Sequence, residues 1–167
     1  MIYYTAVPSP VGDLRLTSDG ISLTGLYLPV HRPDDTHWEE SKDLAIFNSA
    51  KAWLDGYFSG KPGTVELPLS PAGTAFQQRV WEILLTVPYG QTITYGTIAG
   101  QLGETMSAQA VGQAVGKNPI SIIIPCHRCL GVKGQLTGYA GGIENKKWLL
   151  RHEEETKWLS TNIRSWQ

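Results

Sequence analysis

The segment that most constrains this chain is Ile120-Ser121-Ile122-Ile123-Ile124, which runs directly into Pro125-Cys126-His127-Arg128-Cys129. So dense a β-branched run has to be buried, and it reads as a short core strand. Proline ends it, and Gly131 and Gly134 follow, so the chain turns irregular where a thiol stands. Any fold for this sequence must bury the isoleucines and deliver Cys126 and His127 at the edge of that core. Cysteine reacts as thiolate. At a pKa near 8.5 about 3% is ionised at pH 7, and a basic neighbour that lowers the pKa by about two units raises that fraction roughly 25-fold. Cys126 is the candidate nucleophile.

Around this segment the chain divides. Ile2–Val7, Leu14–Ser18 and Ile21–Leu28 read as strands punctuated by Ser9-Pro10-Val11-Gly12 and Asp19-Gly20, an N-terminal meander. The acidic stretch Pro29 to Glu40 reads as loop. Leu44, Phe47, Lys51, Leu54 and Phe58 recur at helical spacing, and Gly60 and Pro62 stop that helix. Leu67-Pro68-Leu69-Ser70-Pro71 reads as an extended linker. A second helix is expected from about Thr74 to Thr86, with Phe76, Val80, Trp81, Leu84 and Leu85 inward. Thr94 caps a short helix Tyr95 to Leu102, and Ser107 caps another from Ala108 to about Gly116. Two short helices about a tight turn fit a helix-turn-helix. Gly138 to Gly142 is a tight loop, and a last helix runs from Glu144 to Glu153. The fold class is α+β: residues 1–66 a small meander plus helix, residues 67–155 a mainly helical domain with the helix-turn-helix, residues 156–167 a tail with no assigned role beyond extra packing.

With 41% apolar residues among 167, a full core is expected, and a net charge of −1 gives no global nucleic-acid signal. Charge is uneven: residues 1–69 carry 5 Lys/Arg against 9 Asp/Glu, and residues 70–155 carry 7 against 6. The C-terminal part is the half suited to meet a polyanion. No apolar run reaches the roughly 20 residues of a membrane helix, and the N-terminus lacks a signal-peptide pattern. Two cysteines three apart cannot staple a secreted scaffold, so a reduced cytoplasm is expected. Two thiols and one adjacent histidine make an incomplete zinc set. The helix Ala108 to Gly116 carries Ala108, Ala110, Gly112, Ala114 and Gly116, although glycine costs about 1 kcal/mol in a helix interior. Such a helix suits either close packing inside the protein or entry into a narrow space; the minor groove of DNA is only about 6 Å wide.

Here the chain resembles the O6-alkylguanine-DNA alkyltransferases of the single-function bacterial type. The resemblance rests on Pro125-Cys126-His127-Arg128, Thr137-Gly138-Tyr139-Ala140-Gly141-Gly142 and Trp148-Leu149-Leu150-Arg151-His152-Glu153, with Phe76-Gln77-Gln78-Arg79-Val80-Trp81 and Val87-Pro88-Tyr89-Gly90 in support. It implies repair by direct reversal: an alkyl group on O6 of a flipped guanine, with O4 of thymine a further candidate, passes irreversibly to Cys126. It further implies that His127 takes the thiol proton through water, Glu153 orients that histidine, and Asn118 is the hinge between helix-turn-helix and active site. Tyr95 would donate to the departing base, Tyr139 would cover it, and Arg128 would be structural. The Ala140 amide would meet O6, and the carbonyls of Cys126 and Cys129 the exocyclic amine. Thr94, Ser107, Gln109, Ala110, Gly112, Gln113 and Lys117 would line the DNA face, with the slim helix in the minor groove. Double-stranded DNA is the implied partner, with no cofactor, metal or obligate protein partner.

Two positions depart from the family pattern. Gln109 stands where an arginine usually fills the gap left by the flipped base, which predicts a weaker grip on flipped DNA. Cys129 replaces the more frequent valine and creates a formal C-x-x-C. That motif is the basis of one rival reading, a redox protein, although the glycine-rich continuation argues against the helix such proteins place there. A non-enzymatic binder of alkylated DNA is the other rival, and the presence of Cys126 argues against it.

Overall fold

The computed structural model describes residues 1–103 and 106–165, with side chains through 159. Its elements are β1 (Ile2–Val7), β2 (Leu14–Ser18), β3 (Leu23–Tyr27), β4 (Trp38–Glu40), α1 (Ala45–Phe58), α2 (Ala75–Leu85), β5 (Ile93–Thr94), α3 (Tyr95–Leu102), α4 (Ala108–Gly116), a 3₁₀ turn at Cys126–Arg128, β6 (Cys129–Leu130) and α5 (Ile143–Ser165). The α+β expectation holds. Among the described residues no helix is long and apolar enough to cross a membrane.

The N-terminal sheet has the order β3-β2-β1-β4, with β4 parallel to β1 and the other pairs antiparallel. β4 corrects the expected Pro29–Glu40 loop: three residues of an acidic segment pair on one edge only, too short a run to register as alternation. The far edge, β3, is covered by single parallel bridges from Leu69 and Ile120. Leu26 donates its N–H to the Pro119 carbonyl (2.9 Å) and accepts from Ser121 (3.1 Å). The segment leading to Cys126 is thus fastened to the N-terminal sheet.

Buried Leu14, Leu16, Leu26 and Leu28 of the sheet and its flank, Phe47 and Leu54 of α1, Trp81 and Leu84 of α2, and Ile120 to Ile124 belong to one apolar core. The buried stripe of α1 is Ile46, Phe47, Ala50, Leu54 and Tyr57, rotated from the expected one, so Tyr57 rather than Phe58 reaches the centre. Leu85, expected inside, is 41% exposed at the end of α2. The helix starts follow their caps: Thr74 and Gln77 form a reciprocal capping box, Thr94 accepts from the Thr97 amide, and Ser107 accepts from the Ala110 amide. Trp81 Nε1 donates to the Ala114 carbonyl (2.9 Å) and holds α4 against α2.

The expected core strand at Ile120–Ile124 is instead a tight turn beyond the Ile120 bridge. Ile122 has φ +71°, and Ile123 donates to the Ser121 carbonyl (2.8 Å) across it. A β-branched residue in this conformation is strained by about 1–3 kcal/mol. Pro125 (φ −81°, ψ 66°) makes a second three-residue turn, closed by Cys126 N–H to the Ile124 carbonyl (2.8 Å). The last helix runs well past Glu153, through the first ten residues of the tail; Trp166 lies outside the described residues.

Candidate active site

Asn118 closes α4 and spans the strained turn. Its Oδ1 accepts from the Ile120 amide (2.9 Å), and its Nδ2 donates to the carbonyls of Ile124 (2.9 Å) and Ile120 (3.3 Å). One buried amide thus fixes both ends of the loop that delivers the thiol. β6 begins one residue after the 3₁₀ turn and pairs Cys129 with Ile93 and Leu130 with Thr94. Thr94 is the cap of α3, so one short two-stranded ladder joins the helix-turn-helix to the strand that directly follows the Cys126 turn.

The centre of the site is the Glu153 carboxylate, 1% exposed. It accepts from His127 Nε2 (2.5 Å), Tyr57 Oη (2.6 Å), Arg128 Nε (2.8 Å) and Nη2 (3.2 Å), and the Gly90 amide (3.1 Å). Burial pushes Glu153 up, but the charges and hydrogen bonds of His127 and Arg128 outweigh it and hold the carboxyl well below the usual range. Arg128 also donates Nη1 to the Val87 carbonyl (2.7 Å). Burial, with Glu153 in support, raises Tyr57 far above an ordinary phenol, so it stays a donor.

His127 is fully buried, and burial lowers its pKa against the opposing pull of Glu153. At neutral pH the ring is uncharged, Nε2–H faces Glu153, and Nδ1 is the free basic atom. That Nδ1 is buried without a hydrogen-bond partner. Cys126, 5% exposed, is a free thiol; burial raises its pKa, opposed by Asn118, Lys146 and Tyr139. The chain thus carries a protonated thiol one residue from a neutral imidazole with an unpartnered nitrogen, the residue types that proton removal from sulfur uses. The Tyr139 hydroxyl is also buried with no close hydrogen bond, although Ser121 and Cys126 lie near enough for weak ones.

Around the thiol, Tyr95 Oη lies 2.5 Å from Thr137 Oγ1 and couples α3 to the loop after β6. Cys129 is a free, buried thiol pushed up to about 12 by burial. Besides Tyr57, sequence reading missed Lys146 on α5, 1% exposed. Its Nζ donates to the Cys129 carbonyl (2.8 Å) and the Thr137 carbonyl (3.4 Å). Burial lowers its pKa, while Cys129 and Cys126 oppose that. A lysine is almost never fully buried without a partner, so no sequence rule marks it. Ala140 is partly exposed in the turn closed by Gly142 N–H to the Tyr139 carbonyl (2.9 Å).

On the outer side of α4, Ser107, Gln109, Gln113 and Lys117 are exposed, with Ala110 and Gly112 partly so. The glycines of α4 are not required for packing. A Cβ on Gly116 would meet nothing within 4 Å, and on Gly112 only the Tyr95 ring at 3.7 Å. Close packing inside the protein therefore does not account for these two glycines.

A helix-turn-helix joined to a buried, base-flanked thiol defines a DNA-binding protein with a nucleophilic cysteine. Comparison with known families agrees. Residues 75–155 match the 6-O-methylguanine DNA methyltransferase DNA-binding domain, and residues 2–71 match the ribonuclease-like domain of the same enzymes. A Mycobacterium tuberculosis methylated-DNA–protein-cysteine methyltransferase is 47% identical over 156 residues, 92% of this chain and 93% of the relative. The Haemophilus influenzae protein of the same name is 43% identical over 155 residues, 92% and 87% of the two chains. The structure of M. tuberculosis OGT in complex with DNA superposes with a TM-score of 0.86 at 45% identity, covering 92% and 94%. The chain belongs to the O6-alkylguanine-DNA alkyltransferase family.

Proposed function

We propose that this chain repairs DNA as a methylated-DNA–protein-cysteine methyltransferase, acting once, with Cys126 as the alkyl acceptor. The observation that carries the assignment is the pair of ring nitrogens: Nε2 of His127 is committed to Glu153, and Nδ1 is left buried without a partner one residue from Cys126. The thiol proton passes to Nδ1 through water. The sulfur attacks the alkyl carbon, the C–O6 bond breaks, and an S–C thioether forms. The guanine leaves as its anion and takes up one proton, for which Tyr95 is the donor. Glu153 stabilises the imidazolium produced. A thioether is a poor alkyl donor, so the protein is spent.

The substrate is duplex DNA with the alkylated guanine flipped out, at a cost of a few kcal/mol. The minor groove is the docking site, because α4 keeps glycines its own packing does not need. Gly116→Ala should stabilise the fold by about 0.5–1 kcal/mol yet weaken DNA binding; equal or tighter binding argues against groove entry. Gln109→Arg should tighten binding to flipped DNA and steepen its salt dependence. Both cysteines are free, which suits a reducing cytoplasm.

The decisive experiment is intact-protein mass after incubation with an O6-methylguanine duplex. One added methyl, absent in Cys126→Ser, is expected. Unchanged mass with retained binding would make the chain a lesion binder instead.

A further inference from the structure

We propose that Thr156 and Tyr89 are positioning residues for the Glu153 carboxylate, which makes the start of the C-terminal extension part of the reaction machinery. Thr156 lies three residues beyond Glu153 on α5, just past the family's DNA-binding domain. Its hydroxyl donates to the His152 carbonyl (2.7 Å), which commits its one proton. The Thr156 oxygen therefore accepts from Tyr89 Oη, 2.6 Å away.

Tyr89 touches two of the groups that hold Glu153. Its ring meets that of Tyr57 edge-on at 5.6 Å, and the Arg128 guanidinium carbon lies 5.6 Å from its centroid. The next residue, Gly90, supplies a third donor through its amide (3.1 Å). Gly90 has φ +79°, and a Cβ there would lie 2.8 Å from the Lys157 Cβ. Gly60, just past α1, also has φ +79°, and its Cβ would lie 2.8 Å from that of Thr156. The two backbone segments that bring Tyr57 and Gly90 to the carboxylate are thus both seated on the turn of α5 that follows it. Without the Thr156 bond, Tyr89 loses its anchor, and the Gly90 amide, the Tyr57 ring and the Arg128 guanidinium lose a common support. Glu153 then holds the His127 ring less firmly in the orientation that the proposed proton transfer uses.

This inference rests on the transfer reaction above, and its test separates the two. Wild type, Thr156→Val, Thr156→Ser and Tyr89→Phe are compared by single-turnover methyl transfer from an O6-methylguanine duplex, by affinity for that duplex and by thermal unfolding. Iodoacetamide capture of Cys126, read by mass without DNA, runs in parallel. Thr156→Val and Tyr89→Phe should slow transfer about tenfold at unchanged DNA affinity. The double variant should be no slower than either single one, and Thr156→Ser should restore the rate to within about twofold of wild type. Iodoacetamide capture should follow the same order. Rates within twofold of wild type in the Val and Phe variants, or a Ser variant as slow as the Val variant, would overturn the proposal. A wild-type chain that takes no methyl defeats the function reading, and the capture rates still decide the positioning role.

Discussion

The two ends of the His127 ring sit in opposite environments. On the Nε2 side, Glu153 collects five hydrogen bonds from four residues. On the Nδ1 side, His127 Nδ1 and Tyr139 Oη are two of the four buried side-chain polar atoms without a partner among the described residues. A buried unsatisfied polar atom costs about 1–3 kcal/mol, so a fold tolerates it where another demand wins. The saturated side holds a charge that must persist throughout the reaction. In the proposed reaction the unsaturated side is the one that exchanges partners with water and an incoming base. The contrast separates what is fixed from what reacts.

The sharpest break of this contrast is Glu153→Gln. The variant leaves the Arg128 guanidinium buried against a neutral amide, which should cost about 3–5 kcal/mol. Methyl transfer should fall by about 10² or more, since the imidazolium loses its stabilising charge. Denaturant unfolding and single-turnover kinetics measure both; a loss under about 1 kcal/mol would show that the saturated side is not a structural anchor. The same pair predicts stability against pH. His127 is lowered from 6.5 in the fold, so the unfolded chain takes the proton first and stability is lost as pH falls below about 6.5. Glu153 is lowered from 4.5, so a second loss follows as pH falls below about 4.5. In Glu153→Gln the second loss should shrink.

A smaller effect is expected from Lys146→Met. The Cys129 carbonyl loses its 2.8 Å donor, and both thiols lose a neighbouring cation. The Cys126 pKa should rise further, so iodoacetamide capture should slow at pH 7 and its pH midpoint should move up. Lys146→Arg keeps the charge and should retain more of the rate. An unchanged midpoint in the Met variant would leave the thiol tuned by Asn118 and Tyr139 instead.

The sequence made the chemistry of the reactive side legible and left much of the saturated side dark. Cys126, His127, Asn118 and Glu153 carry motif signals, and Thr74, Thr94 and Ser107 mark helix starts because capping is a local interaction. Tyr57 carries none, and Gly90 stands in a family segment that does not name its partner: they reach Glu153 across 96 and 63 positions of chain. Lys146 is hidden because a charged side chain reads as surface unless its partners are known. The isoleucine run misled because burial alone does not distinguish a strand from a turn; Asn118 holds the strained backbone, and that contact is tertiary. β4 escaped because its parallel partner lies at the other end of the N-terminal unit.

The finest probe of the contrast is a matched pair of single-oxygen deletions. Tyr57→Phe removes a hydroxyl that donates to Glu153 at 2.6 Å and leaves the carboxylate one donor short. It should destabilise by about 1.5–3 kcal/mol, the range for a bond to a charged group. Tyr139→Phe removes a hydroxyl with no close hydrogen-bond partner, only weaker contacts to Ser121 and Cys126. It should leave stability within about 0.5 kcal/mol of wild type, on either side, because only the weak contacts to Ser121 and Cys126 are lost and a desolvated group disappears. Its effect should fall on transfer, because the hydroxyl interacts with Cys126. Equal losses of stability in the two variants would mean that Tyr139 is partnered in solution, and that the reactive side is as saturated as the other.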